Sequence, residues 1–220
     1  MSNSPLSPRR EAQQKRSRKK VEQILDATMD MLSEGPADQI TTNKIAEKAG
    51  ISVGTLYQFF PNKEAIFYEL FRDWLSRTLA ALDDIRDGLA PDASKEDCIA
   101  VFLDALTEPE LNSQKNWKLR WAMSTSPQLL ALEAEHKREV LSRIHDLQSR
   151  LGQSPPAKVI PDFMLLQNEL TIACLFSLSR LQHSPNRDQL HDLCKRLLGV
   201  IYDYPAWTAL GDETGGETEP

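Results

Sequence analysis

The side chains here that could attack a carbonyl, hold a metal or shuttle a proton are few and far apart. The four histidines are His136, His145, His183 and His191. His136 and His145 fall in one helical segment nine residues apart, too far round and along the helix to serve one site. His191 and Cys194, at i and i+3, could offer a metal two ligands, and two ligands do not make a site. Adjacent acids such as Asp83 and Asp84 point to different sides of a helix and are read as solvating charge. No Gly-x-Ser-x-Gly elbow, phosphate loop or dinucleotide fingerprint occurs. Catalysis, a metal and a cofactor are therefore not expected. Cys98, Cys174 and Cys194 are odd in number and widely spaced in apolar helical contexts, which fits reduced, buried thiols better than a disulfide framework.

The chemistry that the sequence does concentrate is contact with a surface. In Thr41–Phe67, TTNKIAEKAGISVGTLYQFFPNKEAIF, Ile45, Ala46 and Ala49 give a first helix its buried side. Gly50 supplies a turn that needs φ > 0. Ser52 stands at an N-cap position, with Leu56 and Phe59 or Phe60 on the inner face of a second helix, about Val53–Phe59. Two helices crossing over such a turn make a helix-turn-helix. The second one begins with Val53, Gly54 and Thr55, small enough for its backbone to approach the floor of a DNA major groove.

The remaining elements must hold that pair in place. A helix over about Arg16–Ser33 carries Val21, Ile24, Leu25, Thr28, Met31 and Leu32 on one face and stops at Gly35-Pro36. After Pro61-Asn62, with Asn62 as cap, an apolar-periodic helix runs unbroken to Gly88 and connects head to body. Further helices are predicted after Ser94, over about Glu110–Met123, from Ser126-Pro127 to Gly152, over Pro161–Gln182 and over Arg187–Tyr202, the last ended by Pro205. Ser154-Pro155-Pro156 reads as a linker. No strand alternation and no internal repeat is present, so the fold class is all-α with about nine helices. The predicted organisation is a disordered basic arm (1–15), a helix-turn-helix head (16–63), a helical effector-binding and dimerisation body (64–205) and a disordered tail (206–220).

Charge divides along the same line. The whole chain carries −6, which taken alone argues against nucleic acid. Residues 1–63 hold ten Lys/Arg and seven Asp/Glu, net +3, while residues 64–220 hold sixteen and twenty-five, net −9. Phosphate responds to the local patch, which is the basic one. No apolar run long enough to span a membrane and no secretory signal is found, so a cytoplasmic protein is expected.

The order of basic arm, amphipathic helix, helix-turn-helix, long helix and helical body resembles the tetracycline-repressor (TetR) family of bacterial transcription regulators. The likeness is specific over about Arg18–Phe67. It rests on the Thr42–Gly50 helix and turn, the Gly54-Thr55-Leu56-Tyr57 segment and the run Tyr57-Gln58-Phe59-Phe60-Pro61-Asn62-Lys63-Glu64. Beyond Phe67 only the architecture is similar. Many members have His where this chain has Phe59, which cannot bond a phosphate.

The resemblance implies double-stranded DNA as partner, a palindromic operator and a nucleoid-associated location. It implies that Thr42 caps its helix and meets a phosphate, that Ser52 caps the next, that Val53 and Thr55 touch thymine methyls or base edges, and that Gly54 permits close approach. Tyr57 would aim its hydroxyl at phosphate and Lys63 would pair with one as a point charge. Lys44 and Lys48 are weaker candidates, and Gln58 is the one residue in the second helix suited to bidentate base contact.

Helices 8 and 9 carry apolar, small-residue faces suited to a homodimer: Leu166, Leu170, Ala173 and Ser177, then Leu190, Leu193 and Leu197. Trp117 and Trp121, at i and i+4, could join Phe71, Trp74, Phe102, Leu106 and Met123 around a small apolar or aromatic organic effector, with Asn116 and Arg120 orienting it. The same aromatics would equally serve as core. The expected function is a ligand-released repressor. The alternative is a constitutive or protein-partnered DNA-binding dimer without an effector.

Overall fold

A computed structural model of the chain describes residues 15–90, 92–108, 111–124, 126–150 and 160–202. The arm before residue 15, the Ser154-Pro155-Pro156 linker, Pro205 and the tail lie outside the described residues. The described residues are all-α, as the sequence predicts. They form α1 (Lys15–Glu34), a 3₁₀ turn (Ala37–Gln39), α2 (Thr42–Lys48), α3 (Val53–Phe59), α4 (Lys63–Gly88), α5 (Lys95–Leu106), α6 (Gln114–Met123), α7 (Pro127–Arg150), α8 (Ile160–Arg180) and α9 (Arg187–Ile201). None of these helices is long and apolar enough to cross a membrane.

One boundary differs clearly from expectation. The sixth helix begins at Gln114 rather than near Glu110, because the Ser113 side chain accepts from the Asn116 N–H and caps it there. Leu111 and Asn112 instead turn back on the Glu108 carbonyl, with N···O distances of 3.0 and 2.8 Å.

The chain gathers into two compact units, Met1–Arg77 with Ser113–Glu135 and Thr78–Asn112 with His136–Pro220. In the first, α1 packs on α2 and α6, α2 on α3, and α6 on the 3₁₀ turn. Ile24, Leu32, Ile45, Leu56, Phe60, Ile66, Phe71 and Leu119 are fully buried, each such apolar side chain contributing about 1.5–3 kcal/mol relative to exposure. Three short helices could not assemble this core alone, and Ala65, Ile66, Phe67, Leu70 and Phe71 of α4 complete it, as anticipated. That α6 belongs with this unit was not anticipated.

In the second unit α9 packs on both α5 and α8. The core joins Leu82, Ile85, Phe102, Leu103, Ile144, Leu178, Leu198 and Tyr202. Thr171 Oγ1 donates to the Gln167 carbonyl at 2.7 Å, so the Tyr202 hydroxyl, 3.1 Å away, donates to Thr171. Burial pushes the Tyr202 phenol up to about 12 and the Cys98 thiol up to about 11. The three thiols are unbridged, with Cys98 and Cys194 buried and Cys174 half-buried. Arg143 of α7 holds Asp83 of α4 through Nε at 3.0 Å and Nη2 at 3.3 Å.

Among the described residues the one positive φ falls on Gly50, at 65°, between α2 and α3. There the Gly50 N–H bonds the Glu47 carbonyl at 3.1 Å and the Ile51 N–H bonds the Ala46 carbonyl at 3.0 Å, a Schellman closure of α2. A Cβ on Gly50 would meet nothing within 4 Å, so replacing it costs backbone strain alone. Gly50→Ala is expected to lose about 1–2 kcal/mol in urea unfolding followed by circular dichroism. An unchanged midpoint would mean that the turn has another backbone conformation.

Candidate nucleic-acid interface

The caps of α2, α3 and α4 organise the polar side of the helix-turn-helix. Thr41, extended at φ −128° and ψ 155°, is the N-cap of α2, and its Oγ1 accepts from the Lys44 N–H at 3.3 Å. This corrects the expectation that Thr42 is the cap. Of two consecutive threonines, the extended one aims its oxygen at the helix end. Thr42 lies one residue inside, where its Oγ1 sits 3.0 Å from the Tyr57 hydroxyl and joins α2 to α3. Ser52 caps α3 as expected, accepting from the Thr55 N–H at 3.1 Å and lying 2.8 Å from Thr55 Oγ1. Asn62 caps α4, its Oδ1 accepting from the Ala65 N–H at 2.8 Å.

Ile45, Leu56, Phe59 and Phe60 are all buried, so the Phe59 position contributes packing rather than a polar contact. On the outside, Lys44, Ser52, Gly54, Tyr57 and Gln58 are exposed, while Thr42, Val53, Thr55 and Lys63 are half-buried. Lys44 Nζ donates to the Gln39 carbonyl at 3.1 Å. Lys48 pairs with the exposed Glu34 at 2.5 Å. Lys63 Nζ stands 5.6 Å from the centre of the Phe67 ring. A Cβ on Gly54 would meet nothing within 4 Å, so nothing inside the fold requires glycine there. Gly54 is the second residue of α3, in its first turn. Hydroxyls and an ammonium alongside a bare stretch of helix backbone can bind anionic oxygens while lying close to a surface.

The expected effector residues divide between the units. Phe71, Trp74, Asn116, Trp117, Arg120, Trp121 and Met123 belong to the first, Phe102 and Leu106 to the second. Phe71 and Trp74 meet edge-on at 5.6 Å, and Trp74 and Trp117 at 5.8 Å. Arg120 lies over the Trp117 ring at 5.5 Å, its Nε 2.6 Å from Glu133 Oε1. Asn116 and Met123 are buried. Trp121 departs from expectation: it is 58% exposed. Four residues are 400° of helix, so Trp121 sits about 40° round from Trp117, and that offset takes it off the buried side. Phe102 packs 6.1 Å from Tyr202 in the second core.

On α8 and α9, Leu166, Leu170, Ala173, Ser177, Leu193 and Leu197 are exposed, while Leu190 packs against the second core. Sequence reasoning missed two neighbours, Leu165 and the 66% exposed Val200. Val200 follows Leu197 at the helical spacing of three that could have found it. The buried side of α8 sets Gln167, Asn168, Thr171 and Ser179 beside the apolar Leu178.

The cap assignment has a direct test. Thr41→Ala is expected to lose about 1 kcal/mol in chemical denaturation, and Thr42→Ala less than half of that. The reverse order would return the cap to Thr42.

Residues 24–70 match the model of "Bacterial regulatory proteins, tetR family". The chain is 34% identical over 70 residues to the fatty acid metabolism regulator protein of Bacillus subtilis, covering 32% of this chain and 36% of that one. It is 33% identical over 143 residues to the nucleoid occlusion factor SlmA of Idiomarina loihiensis, covering 65% and 66%. The matched stretches thus span roughly one third to two thirds of these relatives. The fold is shared with the solved transcriptional regulator FadR from Bacillus subtilis in complex with stearoyl-CoA, at a TM-score of 0.65 and 17% identity, covering 83% of this chain and 98% of that one. The head that the model matches is the helix-turn-helix whose caps and turn are described above, and the chain belongs to the tetR family of bacterial regulatory proteins.

Proposed function

We propose that this protein is a DNA-binding transcription regulator that grips a palindromic operator as a homodimer and is released from it by an organic effector, acting as a repressor. The observation that carries the reading is Gly54. It is an exposed helical glycine with open space where its Cβ would be, flanked by Val53 and Thr55 and by the exposed Ser52 and Tyr57. The bare backbone there lets another surface approach closely from outside. A major-groove floor is that kind of surface. Thr42, Tyr57 and Lys63 are assigned to phosphate, with Lys44 a lesser contact. Gln58 is the residue for base-edge contact, supplemented by DNA shape.

One head makes too few contacts for tight binding, and two heads on a two-fold reach successive major grooves about 34–36 Å apart. The outward leucines of α8 and α9 support that pairing. Release is a population shift: effector favours a tilt of α4 that takes the heads out of register, and it must bind the released state more tightly than the DNA-bound one. Phe71, Trp74 and Trp117 are the apolar part of the candidate site. Because the Bacillus subtilis FadR structure contains stearoyl-CoA, long-chain acyl thioesters are the effectors to assay first.

A second reading is a DNA-binding dimer with a protein partner and no effector. It is favoured by the edge-on packing of the buried Phe71, Trp74 and Trp117, as expected of a filled core, and by the nucleoid occlusion factor among the relatives. Operator affinity measured with and without acyl thioesters separates the two, since a filled core leaves it unchanged.

Selection of bound duplexes from random DNA by the purified protein tests the main reading. It is expected to return a palindrome with half-sites one helical turn or a multiple of it apart. Failure to enrich any sequence would remove operator recognition. On the selected duplex, Lys63→Ala should weaken binding and lower the slope of log affinity against log salt by about one. Tyr57→Phe should weaken binding without unfolding the head. An unchanged slope would take Lys63 out of the phosphate set. Leu193→Glu or Leu197→Glu should convert the dimer to monomer in sedimentation velocity, and a variant that stays dimeric would place the interface elsewhere.

A further inference from the structure

Lys118 lies in the middle of α6, within the compact unit that contains α1, α2 and α3. Its Nζ is 2.9 Å from the Leu32 carbonyl oxygen, 3.3 Å from that of Ser33 and 3.4 Å from that of Gly35. These carbonyls lie at the C-terminus of α1, where intrahelical donors run out and the negative end of the helix dipole emerges. The i+4 partner of Leu32 would be Pro36, which has no N–H to give. The last turn of α1 contains no basic residue of its own. The three donors of one ammonium, supplied by α6, meet two carbonyls of the last turn of α1 and one just past its end.

The neighbours of Lys118 on α6 hold other elements of the same unit. Trp117 meets Trp74 of α4 edge-on at 5.8 Å. Arg120 pairs with Glu133 of α7 at 2.6 Å. The helix that carries the central aromatic of the candidate effector group is thus also clamped, by charge-assisted hydrogen bonds, to the helix on which α2 rests.

We propose that Lys118 is a positioning residue through which α6 sets the placement of α1, and so couples the aromatic group to DNA binding. This rests on the DNA-binding reading above. It adds to the tilt of α4 a second connection, from α6 directly to the head. Linkage makes it testable without an effector: if the state of α6 alters DNA affinity, DNA must perturb α6 by the same free energy.

The experiment uses the full-length dimer and the duplex recovered by selection. In the wild type, saturation with that duplex should slow amide exchange at residues 114–123. Lys118→Met should keep its helical circular dichroism and bind about 5- to 100-fold more weakly. It should lose the DNA-dependent slowing of exchange but keep the wild-type salt slope, because Lys118 donates to carbonyls rather than to phosphates. Lys118→Arg, which retains a cation and several donors, should restore affinity and slowing. A purely structural lysine would lower stability and leave affinity unchanged at temperatures where the variant is folded, and that result overturns the proposal. A changed salt slope overturns it by making Lys118 a phosphate contact. Wild-type exchange at 114–123 that ignores DNA overturns it without any variant, even if Lys118→Met fails to fold. A wild-type protein that binds no duplex sinks the DNA-binding reading and this proposal together.

Discussion

Helices α2 and α3 are seven residues each, below the length at which a helix sustains itself in water. Nearly every backbone group in such a helix belongs to one end or the other, so its hydrogen bonds must come from outside the helical ladder. That constraint accounts for much of the local sequence. Thr41 and Ser52 satisfy amides at the two starts, and the bonds of Gly50 and Ile51 satisfy carbonyls where α2 ends. Leu56, Phe59 and Phe60 place three large apolar groups within five residues, which supplies the burial that helix propensity cannot. A recognition unit this short keeps its shape only as part of the unit around it.

Such local devices were legible in the sequence because each is a residue type at a fixed offset from a helix end. Gly50, Ser52 and Asn62 were placed correctly on that basis. Thr41 was not, because two adjacent threonines are chemically equal and only the backbone angle distinguishes them. The sixth helix was started early for a similar reason: several residues after Pro109 are compatible with helix, and the cap at Ser113 decides among them. Trp121 shows the limit of spacing arguments. A shared helical stripe is about 100° wide, and its edge falls between Trp117 and Trp121. The partnership of α6 with α1 was invisible, because it depends on residues 85 positions apart, Lys118 and Ser33, and no periodic pattern encodes that pairing.

Helix α8 mixes polar and apolar groups on both sides. Its enclosed side carries Gln167, Asn168, Thr171 and Ser179 beside Leu178, and its open side carries Leu165, Leu166 and Leu170 beside Glu169 and Ser177. Burying polar groups is tolerable where they are bonded, and several are: Thr171 to the Gln167 carbonyl, Ser179 to the Phe176 carbonyl, Gln167 Nε2 to the Ile201 carbonyl. Exposing leucines has no such compensation in a lone chain. Leu193, Leu197 and Val200 of α9 are also outward, and exposed apolar side chains gathered on neighbouring helices are what an interface covers. In the proposed dimer, burial of these outward leucines supplies the compensation that a lone chain lacks.

Electrostatics then bears on how selective such a dimer can be. The chain is net negative, while residues 1–63 hold ten Lys/Arg. Non-specific affinity for DNA scales with the number of phosphates neutralised, so the cations of the head set how tightly random sequence is held. Exposed charges more than about 10 Å from a phosphate are largely screened at 0.1 M salt, so the local balance of the head outweighs the net charge of the chain. What remains is a modest local attraction from Lys44, Lys63 and the basic arm, supplemented by hydroxyl contacts that require a well-placed backbone. Affinity built that way depends on both heads being in position at once. In the proposed dimer, small changes in the placement of α1 or α4 would therefore have large effects on occupancy.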